Sequence, residues 1–108
     1  MTDDVILRLA ATIHARRSTA GDTSYTRQLL DGGVEKCARK FGEEAIEVVI
    51  ASLGPDAHAV ASEAADVIYH LLVLLEAKGL AWADVADILH KRLGVSGLTE
   101  KAARSPGP

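Results

Sequence analysis

The sequence predicts an all-α fold, a compact bundle of four to five helices that dimerises through a buried helix. Apolar residues recur three and four positions apart along most of the chain, which is typical of amphipathic helices. No stretch alternates apolar and polar residues as a half-buried strand does. The composition is 48% hydrophobic but only 4% aromatic, which favours helices packed by small aliphatic side chains. At 108 residues the chain is one domain in length.

The first two helices are predicted at residues 4–16 and 25–30. Asp3 or Asp4 is suited to cap the first helix, and Ser24 to cap the second, because their side-chain oxygens can accept hydrogen bonds from free backbone N–H groups. A polar loop that contains Gly21 separates the two helices. The pair Gly32-Gly33 should end the second helix, since glycine tolerates the left-handed conformation found at helix ends.

Two long helices, predicted at residues 34–53 and 56–78, fold back on each other at the turn Gly54-Pro55. The second of them is apolar nearly all round, which predicts burial on all sides and a partner subunit over the surplus face. The helix at 34–53 should carry one apolar stripe, which consists of Val34, Ala38, Phe41, Ala45, Val48 and Ser52.

A fifth helix is predicted at residues 82–93, after Gly79 and before Gly94. Val85, Ile88 and Leu89 are expected to face inward. We assign residues 1–96 to the all-α domain and 97–108 to a C-terminal tail, whose end we expect to be disordered.

Composition and charge exclude several classes of function. A net charge of −3 without a basic block argues against nucleic-acid binding. The single Cys37 excludes an internal disulfide, fits a reducing compartment and is best explained as a small packing residue. The longest apolar run, 67–75, is too short to span a bilayer. With no signal-peptide pattern at the N-terminus, we expect a cytoplasmic protein that binds no membrane.

Acidic residues on the two long helices are the strongest indication of chemistry. They lie at similar distances on either side of the Gly54-Pro55 turn, so antiparallel helices would bring them together. A solvated helix face explains the acids of the helix at 34–53 equally well. The acids of the helix at 56–78 stand in an almost wholly apolar helix, and carboxylates taken out of water need a partner or a metal. The sequence therefore predicts a divalent-cation site made from Glu43, Glu44, Glu47, Glu63 and Asp66.

Other polar residues allow two interpretations each. Lys40 could pair with Glu44 or Glu47, or reach a substrate phosphate. His70 is more often a hydrogen-bonded core histidine than a ligand. The segment Ser24-Tyr25-Thr26 could contact phosphate at a helix N-terminus or be a plain N-cap.

The acid motif resembles that of the phosphoribosyl-ATP pyrophosphatase family, a branch of the MazG-type all-α nucleotide pyrophosphohydrolases. Its mark, Glu-x-x-Glu followed by Glu-x-x-Asp, reads Glu44-x-x-Glu47 and Glu63-x-x-Asp66 here. The narrower match covers about residues 5–104. It depends on Ser24-Tyr25-Thr26, Gly33, Lys40-Phe41-Gly42-Glu43-Glu44, Tyr69-His70, Lys78-Gly79-Leu80 and Gly97-Leu98-x-Glu100-Lys101-Ala102. Arg39 and Cys37 depart from the family pattern, where lysine and an aliphatic residue are usual.

The resemblance implies hydrolysis of phosphoribosyl-ATP to phosphoribosyl-AMP and pyrophosphate in histidine biosynthesis. It also implies Mg²⁺, with Mn²⁺ possible, and a homodimer with active sites near the subunit interface. On this hypothesis the metal ligands are Glu44, Glu47, Glu63 and Asp66, the catalytic residues are Glu43, Glu44, Glu47 and Lys40, and the substrate-binding residues are Ser24, Tyr25, Thr26, Lys40 and His70. Two alternatives stay open: a house-cleaning pyrophosphatase for non-standard nucleoside triphosphates, and a non-enzymatic helical dimer that binds metal.

Overall fold

A computed structural model describes residues 4–93 of the chain. The expected Asp3 cap, the Gly94 stop and the C-terminal tail lie outside these residues. Between residues 4 and 93 the chain forms helices and no strand, which confirms the all-α prediction. The elements in chain order are α1 (Val5–Ser18), α2 (Tyr25–Asp31), α3 (Gly33–Ser52), α4 (Ala57–Ala77) and α5 (Trp82–Arg92).

Side-chain caps fix the beginnings of α2 and α4. Ser24 Oγ accepts a hydrogen bond from the backbone N–H of Arg27 at 3.1 Å, as predicted. Asp56 Oδ1 accepts from the backbone N–H groups of His58 and Ala59 at 3.0 and 3.3 Å. Each bond satisfies a donor that the first turn of a helix would otherwise leave without a partner.

Glycines in the left-handed region separate the helices where the sequence places them. Gly33 has φ +85° at the junction of α2 and α3, and Gly79 has φ +77° after α4. Beyond α4 the N–H of Leu80 donates to the carbonyl of Leu75 at 2.8 Å, and the N–H of Gly79 donates to that of Glu76 at 3.0 Å. These two bonds form a Schellman motif, which needs a residue with positive φ at the Gly79 position.

The hydrophobic core lies where α1, α2, the start of α3 and the end of α4 meet. Its members are at most 3% exposed. The predicted stripe of α3 agrees in its middle, where Phe41, Ala45 and Val48 are partly buried, but not at its start, where Cys37 is buried and Ala38 is exposed. Cys37 is thus a packing residue, and its thiol donates to the carbonyl of Leu29 at 3.2 Å. The core consists of Ile13, Leu29, Cys37, Leu72 and Val73.

The antiparallel pair α3–α4 has the most extensive helix–helix packing in the described part of the chain. Core residues come only from the half of this pair that lies away from the Gly54-Pro55 turn. On the other half, large apolar side chains of α3 are 59–83% exposed. Their spacing of three and four residues gives one continuous apolar stripe along the helix. This exposed stripe consists of Ile46, Val49, Ile50 and Leu53.

Of two expectations about burial, one stays a prediction and one is wrong. Ile68 of α4 is 39% exposed within the single chain, so complete coverage of this helix would need the partner subunit that the sequence predicts. On α5, Ile88 and Leu89 are each 49% exposed, so only Val85 of the expected inward face is partly buried. The reason is that α5 packs on the core through Trp82 at its start and makes few contacts beyond it.

Among the described residues, α4 alone is long and apolar enough to cross a membrane by length and composition. This is weak evidence, because the core helix of a soluble protein meets the same criterion. The same helix also carries Glu63 and Asp66 near its middle, and ionised carboxylates are costly inside a bilayer.

Candidate active site

Three carboxylates from α3 and α4 converge across the antiparallel pair. One ligand oxygen each of Glu44, Glu63 and Asp66 lies within 4.8 Å of the other two. Glu63 and Asp66 are three residues apart and share a face of α4, and α3 presents Glu44 opposite them. We call these three residues the acidic cluster. Their convergence confirms that acids on the two sides of the Gly54-Pro55 turn reach the same level.

Glu43 and Glu47, the other predicted acids, lie beside the acidic cluster. Glu47 is exposed and outside the group of three, but its negative charge helps to raise the pKa of Glu63. Glu43 is also exposed and forms ion pairs with Lys40 at 3.1 Å and with Arg39 at 4.0 Å. The structure therefore separates Glu43, which has basic partners, from the carboxylates that face one another.

Desolvation and electrostatic repulsion both act on the acidic cluster. The pKa of Glu63 lies above its usual value, first because the carboxyl is partly desolvated and then because of the negative charges of Asp66, Glu47 and Glu44. Within residues 4–93 the ion pairs supply no basic side chain to Glu44, Glu63 or Asp66. A carboxylate whose pKa is raised by neighbouring acids, with no ion-pair partner of its own, is suited to bind a cation.

The spacing of the acidic cluster fits a small divalent cation. Carboxylate oxygens bind Mg²⁺ at about 2.1 Å and Ca²⁺ at about 2.4 Å, so two oxygens on opposite sides of such an ion lie about 4.2–4.8 Å apart. The oxygens of Glu44, Glu63 and Asp66 lie no further apart than the upper end of that range, 4.8 Å. The donor set is entirely oxygen, which favours hard cations over zinc or copper. Because Glu44 and Glu63 are only half-buried and Asp66 is exposed, a phosphate could approach from solvent.

Lys40 lies at the edge of this negative region. Its ammonium donates to Glu43 rather than to Glu44 or Glu47, the partners that the sequence favoured. That hydrogen bond raises the pKa of Lys40, and electrostatic interactions with Tyr25, Glu43 and Glu44 add to the effect. Lys40 therefore stays positively charged close to both α2 and the acidic cluster.

The segment Ser24-Tyr25-Thr26 enters α2 with its side chains in three different environments. Ser24 uses its hydroxyl for the helix cap, and its N–H donates to Asp22 Oδ1 at 2.8 Å. Thr26 is buried, and its hydroxyl forms a hydrogen bond with that of Tyr69. Tyr25 is 49% exposed, and its hydroxyl lies 3.5 Å from His70 Nε2. Of the three side chains, Tyr25 is the most open to a substrate.

His70 is a buried histidine with two polar contacts, the more common of the two interpretations that the sequence allowed. It is 6% exposed, and its Nδ1 lies 2.8 Å from the backbone carbonyl of Asp66. A carbonyl can only accept, so Nδ1 carries the hydrogen. In the uncharged ring Nε2 is then the acceptor for the hydroxyl of Tyr25.

Sequence reasoning missed a second cluster of charged residues at the opposite end of α4. Glu76 accepts hydrogen bonds from Arg17 at 3.0 Å and from His14 Nδ1 at 3.0 Å, and Arg17 also donates to the backbone carbonyl of Glu76 at 2.7 Å. Burial acts to raise the pKa of Glu76, but these hydrogen bonds outweigh it and lower the pKa. An acid in an apolar helix was the available signal, the same one that identified Glu63.

An all-α bundle that presents facing carboxylates and a neighbouring lysine defines a class of proteins suited to phosphate chemistry. Residues 7–93 match the sequence profile of the phosphoribosyl-ATP pyrophosphohydrolase family. The chain belongs to this family.

Curated relatives agree over almost the whole chain. A phosphoribosyl-ATP pyrophosphatase of Nitrobacter hamburgensis is 54% identical over 97 residues, which are 90% of this chain and 91% of that protein. One from Cereibacter sphaeroides is 52% identical over 100 residues, covering 93% and 97% of the two chains. One from Ruegeria is 54% identical over 99 residues, covering 92% and 94%.

Proposed function

We propose that this protein hydrolyses phosphoribosyl-ATP to phosphoribosyl-AMP and pyrophosphate, a step of histidine biosynthesis. The single observation that carries the proposal is the convergence of Glu44, Glu63 and Asp66 on one point between α3 and α4. It occurs in a chain whose family and curated relatives carry the name of this activity. Asp66 is exposed, so the acidic cluster is open to solvent on one side.

Glu44, Glu63 and Asp66 fit a magnesium ion by spacing and by their all-oxygen donor set, and Mn²⁺ is an alternative with the same ligand preference. Glu47 would complete the ligand set, since its charge already acts on Glu63. When bound, the metal supplies neutralisation of phosphate charge and lowers the pKa of a water molecule that attacks phosphorus. Attack at the α–β linkage releases pyrophosphate.

The chain's own side chains would divide the remaining tasks. Glu43 is exposed beside the acidic cluster, where its carboxylate could orient a water molecule or accept its proton. Lys40 would move its charge from Glu43 toward the leaving pyrophosphate, because a phosphate is a stronger partner than a solvated carboxylate. Tyr25 would offer a hydroxyl from the side of α2. The buried hydroxyl of Thr26 instead holds α2 on α4.

We also infer a homodimer, with the α3 stripe (Ile46, Val49, Ile50, Leu53) as the main contact surface. Four large apolar side chains at helical spacing, all more than half exposed, form a patch that monomeric proteins rarely leave open. The sequence pointed to α4 for this contact, whereas the exposed side chains favour α3. We expect the dimer to be soluble and cytoplasmic, without nucleic acid or membrane as a partner.

Two substitutions test the proposed activity. Glu47→Ala and Asp66→Ala should each reduce Mg²⁺-dependent release of pyrophosphate from phosphoribosyl-ATP by more than about 100-fold, since loss of a metal ligand exceeds the effect of losing an outer contact. The helical circular dichroism should stay that of the wild type. Glu35→Ala, an exposed acid on the same α3, is the matched control and should keep full activity.

The same assay separates the alternatives. Faster hydrolysis of a panel of non-standard nucleoside triphosphates than of phosphoribosyl-ATP would assign the protein to house-cleaning pyrophosphatases. Binding of Mg²⁺ in calorimetry without release of pyrophosphate from any nucleotide would support a non-enzymatic role. Full activity of the Asp66→Ala variant would contradict the assignment of the site.

A further inference from the structure

Two consecutive residues of α2 meet two consecutive residues of α4 through polar contacts. The hydroxyl of Tyr25 reaches His70, and the hydroxyl of Thr26 reaches that of Tyr69. The rings also pack together, with centroids of Tyr69 and His70 at 4.9 Å and perpendicular planes. We call these four residues the polar seam. Thr26 and His70 are its buried part, at most 8% exposed, and Tyr25 is its half-exposed part.

The contacts of the seam connect to the acidic cluster through α4. His70 Nδ1 donates to the backbone carbonyl of Asp66, a member of the cluster. His70 Nε2 lies 3.5 Å from the hydroxyl of Tyr25. A path of contacts therefore runs from Asp66 through His70 to Tyr25, and so from α4 to α2.

We propose that His70 is a positioning residue, which holds the phenol of Tyr25 at the rim of the acidic cluster and so prepares the phosphate-binding side of the site. The proposal deepens the proposed function and depends on it. His70 does not contact the substrate directly, because both ring nitrogens have protein partners and the ring is 6% exposed. Its effect on the substrate passes through Tyr25, which is half-exposed.

Hydrogen bonds also hold the loop before α2 and the body of α2 in place, independently of the contact between Tyr25 and His70. Arg27 donates to the carbonyl of Thr19 at 2.8 Å and to Asp31 at 3.0 Å. Asp22 accepts from the N–H of Ser24 and from Arg16. With the loop tied at these points, the contact to His70 determines where the Tyr25 ring points rather than whether α2 is folded.

The test compares His70→Phe, which keeps an aromatic ring but loses both hydrogen bonds, with His70→Gln, which restores a polar end near Nε2. We expect His70→Phe to raise KM for phosphoribosyl-ATP about 10-fold while kcat changes less than about threefold, since a lost hydrogen bond of about 1.4 kcal/mol corresponds to a factor of ten. We expect His70→Gln to recover KM to within about threefold. Calorimetric Mg²⁺ affinity should match the wild type in both, because the carboxylates are unchanged. As control, His14→Phe changes a histidine far from the cluster and should leave KM and kcat unchanged.

A double variant shows whether His70 acts through Tyr25. If it does, Tyr25→Phe combined with His70→Phe raises KM no more than the larger single change, whereas independent roles would multiply to about 100-fold and overturn the proposal. Unchanged KM in a folded His70→Phe protein would also overturn it. A separate readout needs no activity: the Tm loss of the double variant should be smaller than the sum of the two single losses. If the wild type did not hydrolyse phosphoribosyl-ATP at all, the proposed function would fail, and this Tm comparison would still decide whether the two side chains are coupled.

Discussion

Helix α4 carries two glutamates, thirteen positions apart, whose surroundings act on them in opposite directions. Glu63 faces other acids, and burial together with Asp66, Glu47 and Glu44 raises its pKa. Glu76 is also partly buried, with 14% of its side chain exposed, but hydrogen bonds from Arg17 and His14 lower its pKa. The first half of the helix thus concentrates negative charge around Glu63, whereas the basic partners of Glu76 neutralise its charge at the C-terminal end.

The difference indicates that Glu76 serves the fold, and it supports the proposed role of Glu63 in binding a ligand. Glu76 connects the end of α1 to the end of α4 through hydrogen bonds from Arg17, close in sequence to the core residues Leu72 and Val73. Its negative charge is thus neutralised within the protein. Glu63 contributes nothing comparable to the described fold, and its ionised form is unfavourable there. A residue that makes the protein less stable in its working charge state is best explained by a partner of opposite charge.

The largest effect that the comparison predicts is on catalysis. Glu63→Gln should lower kcat/KM for phosphoribosyl-ATP by more than about 100-fold, because the amide cannot replace a charged metal ligand. In metal-free buffer the same variant should unfold at a urea concentration equal to or higher than that of the wild type, because the repulsion is relieved. Steady-state kinetics and urea titration followed by circular dichroism check both. Reduced stability without loss of activity would reverse the roles given to the two glutamates.

Stabilisation by metal should come next in size. A ligand at 100 times its Kd adds about 2.7 kcal/mol to the stability of the folded state, which in a domain of this size raises Tm by roughly 10 °C. We expect Mg²⁺ to raise the Tm of the wild type in this way and to leave that of Glu63→Gln nearly unchanged. Glu76→Gln should respond to Mg²⁺ like the wild type. A scan of Tm against Mg²⁺ concentration for the three proteins tests the claim, which an equal response of all three would refute.

Local signals in the sequence were sufficient for the helices and for most of the acidic cluster. The Ser24 cap and the glycines at 33 and 79 mark boundaries that depend on the conformation of a few neighbouring residues. The cluster followed from two acids in an apolar helix and from counting to the Gly54-Pro55 turn. Glu44, Glu63 and Asp66 met as that count required.

Features that depend on packing between distant segments could not be predicted in the same way. The partners of Glu76 come from α1, about sixty residues earlier in the chain, and no spacing rule connects them. Lys40 forms its ion pair with Glu43, which lies three residues away on the same helix, because the side chain of Glu44 turns toward α4. The exposure of Ile88 and Leu89 was missed because periodicity identifies an apolar face but not what covers it.

A smaller effect is expected when the charged end of α4 is changed. Glu76→Gln keeps the shape of the side chain but gives Arg17 a neutral partner, and loss of such a charge-assisted, partly buried contact costs about 1–3 kcal/mol. Activity should stay within about twofold of the wild type, since Glu76 lies at the far end of α4 from the acidic cluster. Urea unfolding followed by the fluorescence of the single tryptophan, Trp82, measures the loss beside the core. An unchanged midpoint of urea unfolding would mean that the contact between Glu76 and α1 adds nothing to the free energy of unfolding.

The smallest effect is the pH dependence of these stability differences, and its sign differs between the two glutamates. The folded-state pKa of Glu76 is lowered, so its contribution is complete above the unfolded value near 4.5 and is lost as pH falls through the folded pKa. The difference in unfolding free energy between wild type and Glu76→Gln should therefore narrow on acidification below about pH 4.5.

The folded-state pKa of Glu63 is raised, so in metal-free buffer its ionised form destabilises the protein above that pKa. The advantage of Glu63→Gln over the wild type should thus disappear as pH falls through the raised pKa toward 4.5. Urea titrations of the three proteins between pH 7 and pH 4 measure both differences, and two differences of the same sign at pH 7 would show that the ends of α4 do not differ electrostatically.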